Sequence, residues 1–214
     1  YAVIGVATLV VTIIGATFAF FSASANSAAN AVRATGANVS LGWAEVGTGI
    51  KTDLIPVDDT NANFPSYIGI SKCVDDANNN ICSVYQWTIS NPATNTATQT
   101  VYPTLNVTTN TFTNLKYAIY NGADTTISTS VNGTAAVTDS TDTGKLVVAA
   151  TALSTGASTT PLTNLNETLA PGASSVYTIV VWIHETGGIQ NVDQGKTFDA
   201  GITYTTANGE STGI

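Results

Sequence analysis

The stretch Val176-Tyr-Thr-Ile-Val-Val-Trp-Ile183 decides the fold of this chain. Every residue in it except Thr178 is apolar or aromatic, and most are β-branched or aromatic, the side chains that strands favour. The run is continuously apolar rather than alternating, which is typical of a central strand, and the turn signals Pro171-Gly172 and Gly187-Gly188 lie on either side of it. We therefore expect a central strand here.

Further strands are predicted on both sides of this run. Short segments of alternating or apolar character are separated by turn signals such as Asn91-Pro92 and Asn121-Gly122. The segments are residues 38–43, 67–70, 83–90, 98–108, 115–120, 146–150, 174–185 and 198–206. This layout predicts a mainly β protein with a β-sandwich or jelly-roll-like domain. The Ser-, Thr- and Gly-rich residues 139–160 are expected to form, in part, an exposed insertion.

The N-terminal segment has a different character. Residues 1–32 contain no charged side chain, and residues 1–21 are apolar enough to form a helix of about 30 Å, which would span a bilayer. We predict a long hydrophobic α-helix over residues 1–34, ended near Gly36, and a β domain over residues 35–214. Because the chain starts at Tyr1, we expect a leader to have been removed while the hydrophobic helix was kept. The alternative is a signal anchor that holds one domain at a membrane.

Small or polar residues recur along this predicted helix at spacings of three and four, which places them on one face. They are Gly5, Thr8, Thr12, Gly15, Ala19 and Ser22. Small side chains let the backbones of apolar helices approach closely. The pattern favours an assembly helix that packs with copies of itself over a lone anchor.

The charge balance narrows the choice of partners. Only 9% of the residues are charged, against about 25% in typical soluble proteins, and the net charge is −8. Arg33 is the only arginine. Nucleic acids and anionic membrane surfaces are therefore not expected to bind, since their phosphates are recognised by clusters of Lys and Arg. A polar but uncharged surface suits extracellular proteins that pack against their own copies or carry glycans.

Two cysteines, Cys73 and Cys82, are predicted to form a disulfide, since they are an isolated close pair in a chain with an export-type segment. They bracket Asp75, Asp76 and three asparagines, whose side-chain oxygens are of the type that binds Ca²⁺. The loop lacks the fixed ligand offsets, the glycine and the final glutamate of an EF-hand. We predict a stapled exposed turn, with no metal and no cofactor.

Catalysis is not expected. His184 is the only histidine, and we interpret it as a surface residue at the end of a strand, because no nucleophile or cleft can be assigned to it. No HExxH, phosphate-binding loop or dinucleotide-binding motif is present. Asparagine-x-Ser/Thr sequons, the acceptor pattern for N-glycosylation, occur at Asn38, Asn106, Asn132 and Asn166. Asn132 is the expected best acceptor, since Asn132-Gly133 is a turn signal.

Two groups of segments resemble known families. Gly15-Ala-Thr-Phe-Ala-Phe-Phe-Ser22 and Thr35-Gly-Ala-Asn-Val-Ser-Leu41 resemble the N-terminal region of TasA/camelysin-like bacterial surface fibre proteins. Leu169-Ala-Pro-Gly-Ala-Ser-Ser-Val-Tyr-Thr-Ile179 and Gln194-Gly-Lys-Thr-Phe198 resemble the closing strands of related secreted β-sandwich domains. The resemblance implies an extracellular fibre subunit with a jelly-roll-like domain, assembled by donation of an N-terminal strand.

The hydrophobic helix is instead similar to that of type IV and archaeal pilins. Gly5 stands where bacterial type IV pilins usually have glutamate, which leaves an archaeal or a divergent bacterial pilin. We expect a pilus subunit that meets the membrane before assembly and then forms a cell-surface homopolymer, with a role in adhesion or biofilm. The alternatives are a TasA-like fibre joined by strand donation and a membrane-anchored adhesin or binding module.

Overall fold

The computed structural model describes residues 41–46, 54–69, 72–122, 130–133, 144–188, 190–207 and 211–213. The chain divides into two units, Tyr1–Val39 and Ser40–Ile214, and everything described below belongs to the second. The predicted helix over residues 1–34 and its row of small residues lie outside the described residues.

The described residues are mainly β, as predicted. Three short 3-10 helices lie at Phe64–Tyr67, Thr163–Leu165 and Asn191–Asp193. The strands of the described residues are β1 (Gly42–Val46), β2 (Ile68–Gly69), β3 (Lys72–Cys73), β4 (Ser83–Ser90), β5 (Gln99–Asn110), β6 (Leu115–Asn121), β7 (Leu146–Ala152), β8 (Ser158–Pro161), β9 (Glu167–Leu169), β10 (Ser174–Ile183), β11 (Phe198–Thr206) and β12 (Ser211–Gly213).

Two antiparallel sheets make up the domain, in agreement with a β-sandwich. Sheet 1 has the strand order β1-β4-β10-β6-β7, and sheet 2 has the order β12-β11-β5-β8, with β9 also paired to β5. A core that includes Trp87, Val101, Ile119, Ile179 and Ile202 draws its side chains from strands of both sheets. As its apolar run predicts, β10 is the central strand of sheet 1.

Strand β10 is buried on both faces because a second layer packs on the outside of sheet 1. Tyr177 and Ile179 belong to the core shared by the two sheets, whereas Val180 and Trp182, one step along the pleat, belong to a second core. The second core is completed mainly by Phe64, Ile68, Cys73, Ile81 and Cys82. We call residues 54–69 and 72–82 the cover layer. It explains why β10 is continuously apolar rather than alternating.

The outward side of sheet 2 is polar and uncharged over most of its area. β5 alternates from Gln99 to Val107: Val101, Pro103 and Leu105 are buried, whereas Tyr102 and Thr104 are exposed or partly exposed. We call this outward side the threonine face. The two longest strands of sheet 2 are β5 and β11. Their threonines on this face are Thr100, Thr104 and Thr108 on β5 and Thr203 and Thr205 on β11.

Most predicted strands are confirmed with small shifts at their ends. Residues 83–90 and 198–206 match β4 and β11 in both bounds, and the prediction over 98–108 corresponds to Gln99–Asn110. The strand predicted over 67–70 is confirmed in part: Ile68–Gly69 forms β2, Tyr67 ends a 3-10 helix, and residue 70 lies outside the described residues. The strand predicted over 38–43 begins at Gly42 in the described part and runs on to Val46.

The insertion expected, in part, over residues 139–160 is described from residue 144 onward, and there residues 154–157 form an exposed loop. The rest of this described part carries β7 and β8, and Leu146 and Val147 at the start of β7 are buried. Its Ser, Thr and Ala composition reflects edge strands, whose outward side chains remain in contact with water.

Candidate functional site

The most concentrated polar arrangement of the domain surrounds Asp59 of the cover layer. Its side chain is 2% exposed, and its Oδ2 accepts hydrogen bonds from Lys116 Nζ on β6 and Trp182 Nε1 on β10, both at 2.9 Å. His184 Nδ1 lies 3.2 Å from the same oxygen. We call Asp59, Lys116, Trp182 and His184 the Asp59 cluster.

The Asp59 carboxylate is held in its charged form by this surrounding. Burial by itself would raise the pKa of Asp59, but hydrogen bonds from Lys116 and Trp182 and the charges of Lys116 and His184 outweigh it. The net result is a pKa below the ordinary value. A charge buried in this way is retained because it is paired and hydrogen-bonded. The arrangement fastens the cover layer to β6 and β10.

Backbone hydrogen bonds complete the attachment of the cover layer. Val57 N donates to Ile183 O and Glu185 N donates to Val57 O, each at 2.9 Å, so the chain near Val57 runs parallel to the end of β10. Asn132 Nδ2 donates to the backbone oxygen of Asp59 at 2.9 Å. The interpretation of His184 as a simple surface residue is therefore incomplete. His184 does follow β10, but its side chain is only 29% exposed and faces Asp59.

The disulfide between Cys73 and Cys82 is present, as predicted, and both cysteines are fully buried in the second core. Within the loop that it closes, the Asp75 carboxylate accepts hydrogen bonds from the backbone nitrogens of Ala77 and Asn79 and from Asn79 Nδ2, at 2.8–2.9 Å. Asn78 takes the left-handed conformation, with φ of 65°. The Asp75 carboxylate therefore closes the turn of its own loop. Within the described ranges, no group of three or more His, Cys, Asp or Glu side chains is placed to hold a metal ion.

A second, partly buried carboxylate lies beside side chains of the central core. Glu167 of β9 accepts a hydrogen bond from Ser175 Oγ at 2.5 Å and another from the Tyr177 hydroxyl. Close by, Trp87 Nε1 donates to the Tyr204 hydroxyl at 2.8 Å. Burial raises the pKa of Glu167 despite these two hydrogen bonds. Glu167 Oε1 is buried and has no hydrogen-bond partner among the described residues. The group therefore costs stability when it is charged.

The predicted glycosylation sequons fall in different surroundings. Asn166 is exposed at the end of a 3-10 helix, and Asn132 is exposed but uses its amide to bind the cover layer. Asn106 is partly buried within β5, and its amide donates to Thr203 Oγ1 at 2.8 Å. Asn38 lies outside the described residues. By exposure and free hydrogen-bonding capacity, Asn166 is a better acceptor than Asn132.

Sequence reasoning missed the Asp59 cluster because its members come from distant segments. Lys116 is 57 residues and Trp182 is 123 residues from Asp59 along the chain. One signal was available: Trp182 and His184 are two residues apart and must share a face of the strand. Polar atoms at the end of such an apolar run need a partner when buried.

No model of a known protein family matches the chain, and no curated protein matches it either. Among the described residues, no helix is long and apolar enough to cross a membrane. The likeness to TasA/camelysin-like proteins and to pilins stays a prediction.

Proposed function

We propose that this chain is the structural subunit of an extracellular pilus, which polymerises through its N-terminal hydrophobic helix. The observation that carries the proposal is the uncharged sequence of residues 1–32, joined to a separate compact β unit that begins at Ser40. The partners are copies of the same chain, and the membrane before assembly. The function is polymerisation and not catalysis.

The energetics of the N-terminal segment support assembly. A subunit that leaves the membrane exchanges lipid contacts for equivalent contacts with neighbouring helices, so no apolar surface has to meet water. Burial of one such helix removes on the order of 2,000 Å² of apolar surface from water, which is tens of kcal/mol at about 25 cal/mol per Å² before the costs of ordering. Such a filament would be hard to dissociate.

The β domain has features that suit the outer part of an extracellular fibre. The Cys73–Cys82 disulfide is typical of oxidising compartments. The Asp59 cluster and the second core fasten the cover layer to sheet 1, so the domain is held together on both sides of its central sheet. A domain of this kind resists unfolding at the cell surface without depending on a cofactor.

Deletion of residues 1–24 tests the proposal. We expect the truncated chain to be a soluble monomer that keeps the β-rich circular dichroism spectrum of the full chain, while the full chain gives uniform filaments by negative-stain microscopy. Filaments of normal diameter from the truncated chain would show that another element drives assembly.

A pair of point variants tests the role of the small residues. Gly15→Leu should prevent close approach of neighbouring helices and lower the yield of filaments, whereas Val10→Leu, which changes the size of a side chain on the bulky side of the predicted helix, should be tolerated. Equal yields for the two variants would contradict close packing through the small residues.

A fibre joined by strand donation is the second candidate, and the position of β1 favours it. β1 is an edge strand of sheet 1, pairs only with β4 among the described strands, and is the first strand after the N-terminal unit. A neighbouring subunit could supply its own β1 in this place, paired to β4. A cysteine pair at Ala44 and Thr88, which lie opposite each other in the β1–β4 register, distinguishes the two arrangements. Crosslinks within one chain support the pilus, and crosslinks between chains support strand donation.

A further inference from the structure

The threonine face has the composition of a surface for an uncharged, hydroxyl-rich ligand. Register places Tyr102 opposite Thr205 and Thr104 opposite Thr203, with Asn106 next along β5. Along these two strands the only charged side chain on this face is Asp199, at one end, where its Oδ2 accepts a hydrogen bond from Thr108. From Thr100 to Thr108 the face extends about 26 Å along β5 at about 3.3 Å per residue.

Tyr102 is the aromatic group of this face. Its side chain is 40% exposed, whereas Tyr117, Tyr120, Tyr177 and Tyr204 are each at most 2% exposed. An aromatic ring that stands on an open sheet offers an apolar surface for stacking, and its hydroxyl offers a polar end. Hydroxyl and amide groups of Thr and Asn on either side both donate and accept hydrogen bonds.

We propose that the threonine face binds a neutral, extended polysaccharide, with a sugar ring stacked on Tyr102. The charges favour this ligand over others. The chain carries a net charge of −8, so it repels anionic polymers, while a neutral sugar chain meets an uncharged face and suffers no repulsion. A protein partner is disfavoured because stable protein interfaces need several buried apolar or aromatic anchors, and the two strands present one.

Weak binding at each copy would be sufficient. Many copies on one fibre would bind the same sugar chain at many points, and the combined affinity would exceed that of a single face. Binding by a single threonine face does not require filament assembly, so the unassembled chain should also be retained on a polysaccharide.

Binding of the fluorescently labelled full-length chain to settled beads tests the proposal. Cellulose beads provide the neutral polysaccharide, and carboxymethyl cellulose beads provide the same backbone with negative charge. We expect depletion of the chain by cellulose and much less by carboxymethyl cellulose. Equal depletion by both, or none by cellulose and by chitin, would overturn the proposal.

Substitutions then locate the binding face. Tyr102→Ala should weaken binding about ten-fold, the loss expected for one good stacking contact, while Tyr102→Trp should retain it. The control is Ile55→Ala. Ile55 lies in the cover layer and is 43% exposed, similar to Tyr102, and its replacement should leave binding unchanged.

A second pair of variants tests the effect of charge. Thr104→Asp should reduce binding, whereas Ala62→Asp, which adds the same charge to an exposed position of the cover layer, should not. Thermal unfolding of each variant checks that the fold is kept.

Two outcomes would refute the assignment of this face. The first is unchanged binding by Tyr102→Ala together with a change in the sedimentation of the chain, which would make the face a contact between copies. The second is a glycan on Asn106, since a sugar attached there would cover the centre of the threonine face.

Discussion

At the level of single residues, the surroundings of Asp59 and Glu167 shift the pKa values of these two carboxylates in opposite directions. Asp59 is paired with Lys116 and hydrogen-bonded by Trp182, which lowers its pKa in spite of burial. Glu167 has only hydroxyl partners, and burial raises its pKa. The same side-chain chemistry therefore stabilises the fold at one position and costs stability at the other when both are charged.

Asp59→Asn should destabilise the domain substantially. The variant leaves Lys116 without its counter-charge beneath the cover layer. Removal of one partner from a fully buried pair costs about 3–5 kcal/mol, and because the Lys116 side chain is 23% exposed and can turn toward solvent, we expect about 2–3 kcal/mol. Urea unfolding measures the loss. The control Asp58→Asn changes the exposed neighbour, and a loss as large as that of Asp59→Asn would show that the cluster is not the cause.

The pH dependence of stability separates the two carboxylates. The folded-state pKa of Asp59 lies below its unfolded value, so its contribution is present above the unfolded pKa and is lost as pH falls through the folded pKa. The folded-state pKa of Glu167 lies above its unfolded value, so its contribution is present at low pH and is lost as pH rises through the folded pKa. The two groups therefore act in opposite directions.

Glu167→Gln should raise the melting temperature at pH 7, because it removes a buried charge with one unpartnered oxygen. The difference in melting temperature between the variant and the unchanged chain should become smaller as the pH is lowered toward the pKa of free glutamate. Glu185→Gln, at an exposed position, serves as the control and should change neither the melting temperature at pH 7 nor its dependence on pH. A lower melting temperature for Glu167→Gln at pH 7 would mean that the hydrogen bonds from Ser175 and Tyr177 outweigh the cost of burial.

At the level of elements, the disulfide closes a loop within the cover layer, and the Asp59 cluster fastens this layer to sheet 1. Replacing both Cys73 and Cys82 by alanine should lower stability by about 2–3 kcal/mol, the value that the chain-entropy model gives for so short a loop. Thermal unfolding with and without a reducing agent checks this. Reduction should lower the melting temperature of the unchanged chain and leave the double variant unaffected, and a shift in the double variant would contradict the assignment.

The long strands could be predicted from the sequence, because side-chain period reports which faces are buried. β4, β10 and β11 carry clear patterns, and the apolar run of β10 correctly indicated a central strand. β8, β9 and β12 are three or four residues long and too short to show a period. Their pairing with β5 and β11 depends on those strands. The Asp59 cluster could not be predicted, since nothing in a single sequence shows that Asp59 and Trp182 meet.

At the scale of the whole molecule, the distribution of charge is uneven. Asp58 and Asp76 lie exposed in the cover layer on the outside of sheet 1, while β5 and β11 of the threonine face carry a single charged side chain, Asp199. Among the described residues, the exposed carboxylates of the cover layer therefore contribute to repulsion between copies, while the threonine face can approach uncharged surfaces.

If the chain forms filaments, they should bundle as the pH falls toward the pI near 4.2. Protonation of carboxylates removes the net charge of −8 that keeps filaments apart. Raising the salt concentration at pH 7 should have a weaker effect in the same direction, since a Debye length of about 10 Å at 0.1 M already screens distant charges. Light scattering and negative-stain microscopy would follow bundling. Scattering that does not depend on pH would show that charge does not control lateral contact.

The central place of β10 also determines when the domain can fold. Both of its partners in sheet 1 are synthesised long before it, since β4 ends at Ser90 and β6 at Asn121, whereas β10 begins at Ser174. Contacts between segments so distant in sequence close slowly, because the loop entropy is lost before the contacts form. During synthesis, the edges of β4 and β6 that later pair with β10 therefore remain unpaired. A nascent chain of this topology therefore cannot complete sheet 1 until Ile183 has been synthesised, and it needs protection from aggregation over that interval.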